Sequence, residues 1–532
     1  MRKLILLILF VFILSVNAYS ATVTTDGDGT DWNTGANWDT GNVPTVDDDA
    51  VTNHVMSVTA TGATFSTLDN NSTITLTGDQ TWTIKDAGSI DNAGGEIDCD
   101  DNDIDWSITA SVGTTRWSWQ LDSGTWDVGS GETHFAHGYL IIEDSYENST
   151  TQGHTFFGEN CWVTDAFGAS AWTMYDMTID EGVTLRLGTD ANSFRILNIH
   201  DLTAKGTSVN HITIDDQGGR GWLQIQGNDS STIDIAYIDS NDGAFGFYIN
   251  SVDTVAGDSF TASNLTGTNA ASDGIYIANC NGTLTFSDCS VSLNSRYGAY
   301  LLSTTDSLTL NFNDFEGFSN GSGCFNIVDD FITLNVNRSK IYSNTLRGLV
   351  ISATLDTSSF ALINCLVREN TWEQIYLLDN DDCSMKNCTI ADGGATQPNV
   401  YVDLDTGGYS FDITSCIISG AKYGINSVGD SEDPTVTYTD THGGTTANYN
   451  GMTDPTGNNG NISVAPAFTD AVGDDYSITT SSPCIGVAIL AGSPADDING
   501  DTRPMPLDTR PDMGAYEEQT ERNIGSFIIS IN

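Results

Sequence analysis

A period of about 25 residues runs through the middle of this 532-residue chain and limits what it can fold into. Each copy has a turn residue, usually Gly, followed by a short apolar strand. The offsets between successive copies are 28, 24, 25, 25, 26, 25 and 25 residues. The copies begin at Gly246, Gly274, Gly298, Gly323, Gly348, Gln374, Asn399 and Gly424. A second marker keeps the same phase, at Asn241, Asn269, Asn294, Asn320, Asn344 and Asn370. Two markers with one period indicate an internal structural repeat.

Each repeat is too short to bury a core alone. It holds two or three strands of four to six residues with alternating polarity, separated by Gly, Asn, Asp and Ser turns, and no helix-length apolar pattern lies between them. The sequence therefore predicts an all-β solenoid in which successive coils stack their strands in parallel and share one interior. The Asn series predicts a ladder of stacked amides that hydrogen-bond from coil to coil.

These repeats resemble the right-handed parallel β-helix, or pectate-lyase-like, superfamily, most clearly over residues 233–430. Near the end of the chain, a series of short motifs resembles the terminal module of secreted bacterial β-helix surface proteins. The motifs are Asn461–Phe468, Asp475–Ile478, Ser482–Cys484, Asp497–Pro504 and Asp512–Glu517. The resemblance implies a β-helix closed by an N-terminal β cap and a C-terminal capping module.

The first twenty residues have the features of a secretory signal. Met1, Arg2 and Lys3 are followed by an apolar run over Leu4–Leu14 and then by small residues around Ala18. The run is too short to span a membrane, which takes about 20 residues. We therefore predict a signal peptide at 1–20, a cap segment at 21–60, the β-helix at 61–430, the capping module at 431–519 and a tail at 520–532. The localisation expected is secreted, extracellular or cell surface, with no membrane span after signal removal.

The charge balance excludes some classes of partner. The chain has 18 Lys and Arg against 71 Asp and Glu, a formal charge of 18 − 71 = −53. Nucleic acids and anionic lipids are bound through Lys and Arg, so neither is expected as a partner.

The ten cysteines leave two alternatives. Several occupy one recurring strand setting, as Cys365, Cys388 and Cys416 do, and suit small buried apolar residues. One or two disulfides remain open for an exported chain.

A row of aromatic residues is the main candidate binding feature. It occupies the second position after the repeat's turn, with Val350 interrupting it, and consists of Tyr248, Tyr276, Tyr300, Phe325, Tyr376 and Tyr401. Their neighbours in sequence are apolar, so strand alternation predicts that the rings face outward. Such a ladder can stack against sugar rings or a partner surface. The alternative is that the rings only pack on one another between coils.

One acidic turn near the end of the chain is a candidate calcium site. Asp497, Asn499 and Asp501 place oxygen atoms at alternate positions, as a hard cation requires. The alternative is a plain Asp/Gly turn in a very acidic protein. Calcium is the one cofactor that the sequence suggests.

An enzyme of this fold would need carboxylates close to an Arg or Lys base, or a pair of acidic residues. Arg338 and Arg368 lie on neighbouring coils and are the candidate catalytic residues, although no carboxylate pair stands out in the repeat phase. We therefore expect an exported or cell-surface β-helix protein with a structural or adhesive role, whose partner is a polysaccharide or surface glycan. The alternative is a polysaccharide lyase or glycoside hydrolase that acts on a groove of the β-helix.

Overall fold

The structure is a computed structural model. It describes residues 176–519 except for gaps at 188–194, 199, 217–220, 228–229, 303–306, 329–330, 353–357, 379–381, 405–409, 430–431 and 506–508. Between residues 22 and 174 it describes strand backbones and a few single residues. The signal peptide predicted at 1–20 and the tail at 520–532 lie outside the described residues. The chain divides into two compact units, one of Met1–Gly131 with Glu143–Glu147 and one of Glu132–Ile142 with Asn148–Asn532.

The first unit contains parallel strands in two sheets. One sheet includes Thr22–Thr24, Asp49–Thr52, Thr64–Asn70, Gln80–Asp91, Ile104–Thr109 and Ser118–Leu121. The other contains Met56–Val58, Thr73–Leu76, Glu96–Asp98 and Thr125–Asp127.

The second unit is a parallel β-helix, and it carries the candidate site. Sheet 1 has twelve parallel strands: Ala171–Met174, Arg195–Asn198, Trp222–Gln226, Phe247–Asn250, Ile275–Ala278, Tyr297–Leu302, Gly323–Ile327, Arg347–Ile351, Ile375–Leu378, Val400–Asp403, Tyr423–Ser427 and Ala447–Asn450. Each strand pairs with the corresponding strand of the next coil. The predicted stacking of coils is therefore confirmed, and regular pairing continues past residue 430 to Asn450.

Sheets 2 and 3 complete each coil. Sheet 2 contains Asp176–Ile179, Leu202–Lys205, Gly282–Ser287, Leu308–Asn313, Ile332–Asn337, Ser359–Ile363, Cys383–Lys386, Phe411–Thr414 and Thr435–Thr437. Sheet 3 contains Thr184–Leu187, Ile212–Asp216, Ser290–Ser292, Glu316–Phe318, Lys340–Tyr342, Leu366–Arg368, Thr389–Ala391, Ile417–Ser419 and Asp440–His442. Two long strands, Thr232–Asn241 and Ser259–Thr268, run through both sheets. The remaining long strands of this unit are Glu132–Ile142 and Gly153–Asp165.

Alternating side chains fill the interior of the coils. In the strand Leu308–Asn313 the buried residues are Leu308, Leu310 and Phe312, while the residues between them are half-buried on the outer surface. The same pattern recurs in Ile332–Asn337. Stacked rings add to this core, since Phe286 and Phe312 have centroids 4.7 Å apart on adjacent coils. Burial of this continuous apolar interior is the main stabilising term of a solenoid.

The eight cysteines whose side chains are described are all buried and not in disulfides: Cys280, Cys289, Cys324, Cys365, Cys383, Cys388, Cys416 and Cys484. For Cys365, Cys388 and Cys416, this burial confirms the interpretation as small apolar core residues. Burial raises the pKa of the Cys280 and Cys289 thiols to about 12, which keeps them protonated.

The Asn ladder is confirmed over four coils and is wrong at its start. Asn294, Asn320, Asn344 and Asn370 are buried and donate from each Nδ2 to the Oδ1 of the next, over 2.8–2.9 Å. Asn269 is exposed instead, and Ala270 occupies the ladder position, donating its N–H to Asn294 Oδ1. Asn241 lies at a strand end, paired with Thr268. The sequence markers were out of register in these two coils, by one residue at Asn269 and by two at Asn241, where Gly243 occupies the ladder position.

The C-terminal module packs on the outer surface of sheet 3. Phe468–Asp470 and Asp475–Ile478 form an antiparallel pair joined through the short 3-10 helix Ala471–Gly473. Two apolar residues of sheet 3, Leu366 and Ile417, are buried beneath the module. Polar contacts reinforce the packing, because Gly514 N–H donates to Ser415 O and Ala515 N–H donates to Thr389 Oγ1.

Candidate binding face

The outer surface of sheet 1 carries most of the predicted aromatic row. Strand register places five of the six predicted residues on one line, each half-buried: Tyr248, Tyr276, Tyr300, Tyr376 and Tyr401. Residues on either side of each tyrosine point inward, as Ile275 and Ile277 do. The predicted outward placement is confirmed for these five residues, and their role in ligand binding stays a prediction.

The outward placement of Phe325 is wrong. Phe325 is fully buried and pairs in register with Ala299 and Leu349, which belong to the interior. Its ring lies 5.1 Å from that of Phe312 and 5.0 Å from that of Phe315. The repeat lengthens by one residue at this coil, so Asn326 takes the outward position. A one-residue slip moves a side chain to the opposite face of a strand.

Asn326 and Val350 therefore divide the row into two aromatic clusters. The first, which we call platform A, consists of Phe245, Tyr248, Tyr276, Tyr297 and Tyr300. The rings of Tyr248 and Tyr276 are 4.8 Å apart, and those of Tyr276 and Tyr300 are stacked at 5.4 Å. Phe245 contacts both Tyr248 and Tyr276, at 5.2 and 5.1 Å. Burial raises the pKa of the Tyr276 and Tyr297 hydroxyls, which favours the neutral form.

The second cluster, platform B, consists of Trp372, Tyr376 and Tyr401. The rings of Tyr376 and Tyr401 are stacked at 4.8 Å. Arg347 lies over Tyr376, with its guanidinium carbon 3.9 Å from the ring centroid, and 5.0 Å from the centroid of Trp372. Trp372 is exposed at the adjoining turn. Platform B thus presents two stacked rings, an indole and a planar cation on one surface.

Each platform includes an arginine that is paired with a buried carboxylate. Arg296 lies over Tyr300, 5.0 Å from the ring centroid, and its Nη1 is 3.5 Å from Oδ2 of the fully buried Asp273. Arg347 Nε donates to Glu373 Oε2 over 2.7 Å. Burial raises the pKa of Asp273, while hydrogen bonds from Ser272 and Tyr297 and the charge of Arg296 act in the opposite direction. These pairs hold the guanidinium planes beside the rings.

Sequence reasoning missed Phe245, Arg296, Arg347 and Trp372. Arg296 and Trp372 both lie four residues before a tyrosine of the row, and Arg347 lies three residues before Val350. This fixed spacing from the aromatic row is a sequence signal that could have identified these residues. Their contact with the rings depends on how the turns fold back, which the repeat alone does not specify.

Arg338 is held by an ion pair on another surface. Its Nε and Nη2 donate to the two carboxylate oxygens of Asp314, over 2.8 and 2.5 Å. This bidentate bond raises the pKa of the guanidinium further, which opposes any role as a base. Arg338 thus links two adjacent coils.

Arg368 is buried between sheet 3 and the C-terminal module. Its Nη1 donates to Asp474 of the module over 2.8 Å and also contacts Glu369. The guanidinium lies between two rings, 4.5 Å from the centroid of Tyr342 and 5.5 Å from that of Tyr476. The guanidinium therefore contacts two rings and two carboxylates where the module meets the coils. This geometry fits a structural clamp rather than a base open to substrate.

The predicted calcium turn is closed by its own backbone. Asp497 is buried, and its Oδ1 accepts from the N–H groups of Asn499 and Asp501 while its Oδ2 accepts from Glu517 N–H. Asn499 and Asp501 are exposed. Both oxygens of the central carboxylate thus accept backbone N–H groups, which accounts for the turn without a metal, and a calcium role for this turn stays a prediction. Among the described residues, no group of three or more His, Cys, Asp or Glu side chains is arranged to hold a metal.

One buried arginine, Arg503, lies among the other terminal motifs. Arg503 donates to the backbone oxygens of Asp512 and Gly514 over 2.9 and 3.1 Å, and its Nε lies 3.7 Å from Glu517. Glu517 accepts from the N–H groups of Met505 and Asp512. The motif residues that carried the resemblance thus build the interior of the module.

Comparisons with known proteins add a similarity to solved structures. No family model matches the chain, and no curated protein matches it. Among solved structures it is similar to a chain described as pectate lyase Pel9A, with 10% sequence identity and a TM-score of 0.37, over 69% of this chain and 88% of that chain. The parallel β-helix assignment rests on the strand register of this protein itself.

Within the described residues, none of the elements is a helix long and apolar enough to cross a membrane.

Proposed function

We propose that this protein is an exported polysaccharide-binding protein, and that sheet 1 is its binding face. The observation that carries the proposal is the alignment of outward rings on successive coils, from Tyr248 to Tyr300 and again at Tyr376 and Tyr401. Aromatic faces stack on the apolar faces of sugar rings, and a row of them suits a polymer better than a single sugar.

Two further features support this role. The sequence features of residues 1–20 support export, which brings the protein to extracellular or cell-surface polysaccharides. The stacked coils support a structural or adhesive function, because they form a rigid scaffold that holds the rings at fixed spacing. Holding the rings in place before binding lowers the entropic cost of association.

Native electrophoresis in gels that contain a soluble polysaccharide tests the proposal. The panel is hydroxyethylcellulose, galactomannan and polygalacturonate, and at least one is expected to retard the full chain. Tyr376→Ala should weaken the binding about tenfold, because a stacked ring contributes about 0.5–1.5 kcal/mol beyond its buried area. Phe318→Ala is the matched control, since Phe318 is a half-buried ring on sheet 3. No retardation by any polysaccharide, or equal loss in both variants, would contradict the proposal.

A further inference from the structure

The charges around the two platforms cancel within the binding face. Among the described residues, Arg296 and Arg347 lie over platform rings, and Lys422 lies 5.0 Å from the centroid of Tyr423, the first residue of the sheet 1 strand that follows Val400–Asp403. The carboxylates beside the same rings are Asp273, Glu373 and Asp403, of which Asp403 is close enough to Tyr401 to help raise its pKa. In the described part of this face, three cations are thus matched in number by three carboxylates, in a chain of formal charge −53.

A polyanionic ligand needs cations that are not already neutralised. Arg296 and Arg347 each have a buried carboxylate partner. If either arginine bound a uronate or sulfate group, the nearby carboxylate would repel that anionic group. Breaking the pair between Arg347 and Glu373 would strand a buried charge, which is strongly unfavourable. The acidic remainder of the surface adds long-range repulsion. From this charge balance we infer that the ligand is an uncharged polysaccharide, a conclusion that rests on the proposed function.

The spacing of the platforms adds the direction of the bound chain. Tyr300, Asn326, Val350 and Tyr376 are successive register partners, so platforms A and B are separated by three coil steps, about 14 Å at ~4.8 Å per layer. Asn326 and Val350 are both less than a tenth exposed and present no ring between the platforms. A chain that runs along the coil axis therefore contacts both platforms at once. Once one platform has bound the polymer, the other platform binds the same polymer in an intramolecular step. This second step raises the overall affinity without a new kind of interaction.

The charge inference is tested with the full chain in native gels containing either uncharged hydroxyethylcellulose or galactomannan, or anionic polygalacturonate. We expect retardation by an uncharged polymer and none by polygalacturonate. Retardation by polygalacturonate alone would overturn this inference while leaving the proposed function intact. Equal retardation by both kinds of polymer would also overturn it. Retardation by neither would overturn the proposed function as well.

Platform variants test whether one chain engages both clusters. Tyr300→Ala and Tyr376→Ala should each raise the Kd for the retarding uncharged polymer at least tenfold, and the double variant should bind no more tightly than the weaker single variant. Tyr300→Phe and Tyr376→Phe keep the rings and should bind like the unmodified chain, which separates lost stacking from misfolding. If either alanine substitution leaves the Kd unchanged, the two-platform arrangement is wrong.

Discussion

Asn320 shows how one side chain can tie three coils together. Its Oδ1 accepts from both the N–H and the Nδ2 of Asn294, and its own Nδ2 donates to Asn344 Oδ1 and, at 3.4 Å, to Val291 O. Asn320 is fully buried, so no solvent replaces these partners. A buried amide whose hydrogen bonds are all made within the protein specifies the register of the coils around it.

Replacing this residue tests the ladder. Asn320→Ala removes the acceptor of the buried Asn294 N–H and one of the two acceptors of Asn294 Nδ2. An orphaned buried polar group costs about 1–3 kcal/mol, so we expect a loss of about 3 kcal/mol in the free energy of unfolding. Urea denaturation measures the change. Asn313→Thr, at a half-buried position on sheet 2, is the control and should stay within about 0.5 kcal/mol. A ladder that contributes nothing would leave the two variants equally stable.

The sequence predicted this ladder correctly from Asn294 onward but wrongly included Asn269. For the same reason it wrongly predicted that Phe325 faces outward from sheet 1. Register partners on sheet 1 are 24 to 28 residues apart, and the sequence marker follows the turn rather than the strand. An insertion of one residue between turn and strand is invisible to a period count. It nevertheless exchanges inward and outward positions.

The C-terminal module accounts for two apolar side chains on the outer surface of sheet 3. Leu366 and Ile417 are apolar but point outward from sheet 3, where the module buries them. Sequence order alone revealed the module's motifs and could not show where they pack, because the contacts join residues that are far apart in the chain, 84 positions for Tyr476 and Asp392 and 126 for Ala515 and Thr389. Asn364 Nδ2, for example, donates to the backbone oxygen of Asp496. Such contacts have no local sequence signature.

Glu517 makes the stability of this module dependent on pH. Burial, with the nearby charge of Asp512, raises its pKa from 4.5 to about 7, against the opposing charge of Arg503. The folded state therefore holds a proton that the unfolded chain releases above pH 4.5, so stability falls as the pH rises from 4.5 to 7. A shift of this size corresponds to about 3 kcal/mol across that window.

Urea denaturation of the chain and of Glu517→Gln at several pH values between 4.5 and 7 measures this effect. The variant cannot ionise at this position, so we expect its stability to fall less steeply over that interval. Other buried carboxylates such as Asp440, whose pKa burial also raises, are present in both proteins and cancel in the comparison. Identical pH slopes would show that Glu517 does not titrate in this window.

At the scale of the whole molecule, the proposed function depends on the regularity of the stack. The proposed binding face is not contained in a single coil, because it consists of outward rings that register partners repeat in successive coils. The period of the sequence was enough to predict the parallel β-helix, because only stacked coils bury such short strands. The charge balance of the face was not predictable, because Asp273 and Glu373 are matched to their arginines by turns that the period does not describe.

Crosslinking between coils tests the stack most directly. Thr283 and Thr309 are register partners on sheet 2, so their Cα atoms lie about one layer apart, which a disulfide can span, whereas Thr283 and Thr333 are two layers apart. Under mild oxidation, Thr283→Cys with Thr309→Cys should form an intramolecular disulfide, detected by peptide mass analysis, and Thr283→Cys with Thr333→Cys should not. If the second pair crosslinks as readily as the first, or the first not at all, the coils are not stacked in this register and the aligned binding face does not exist.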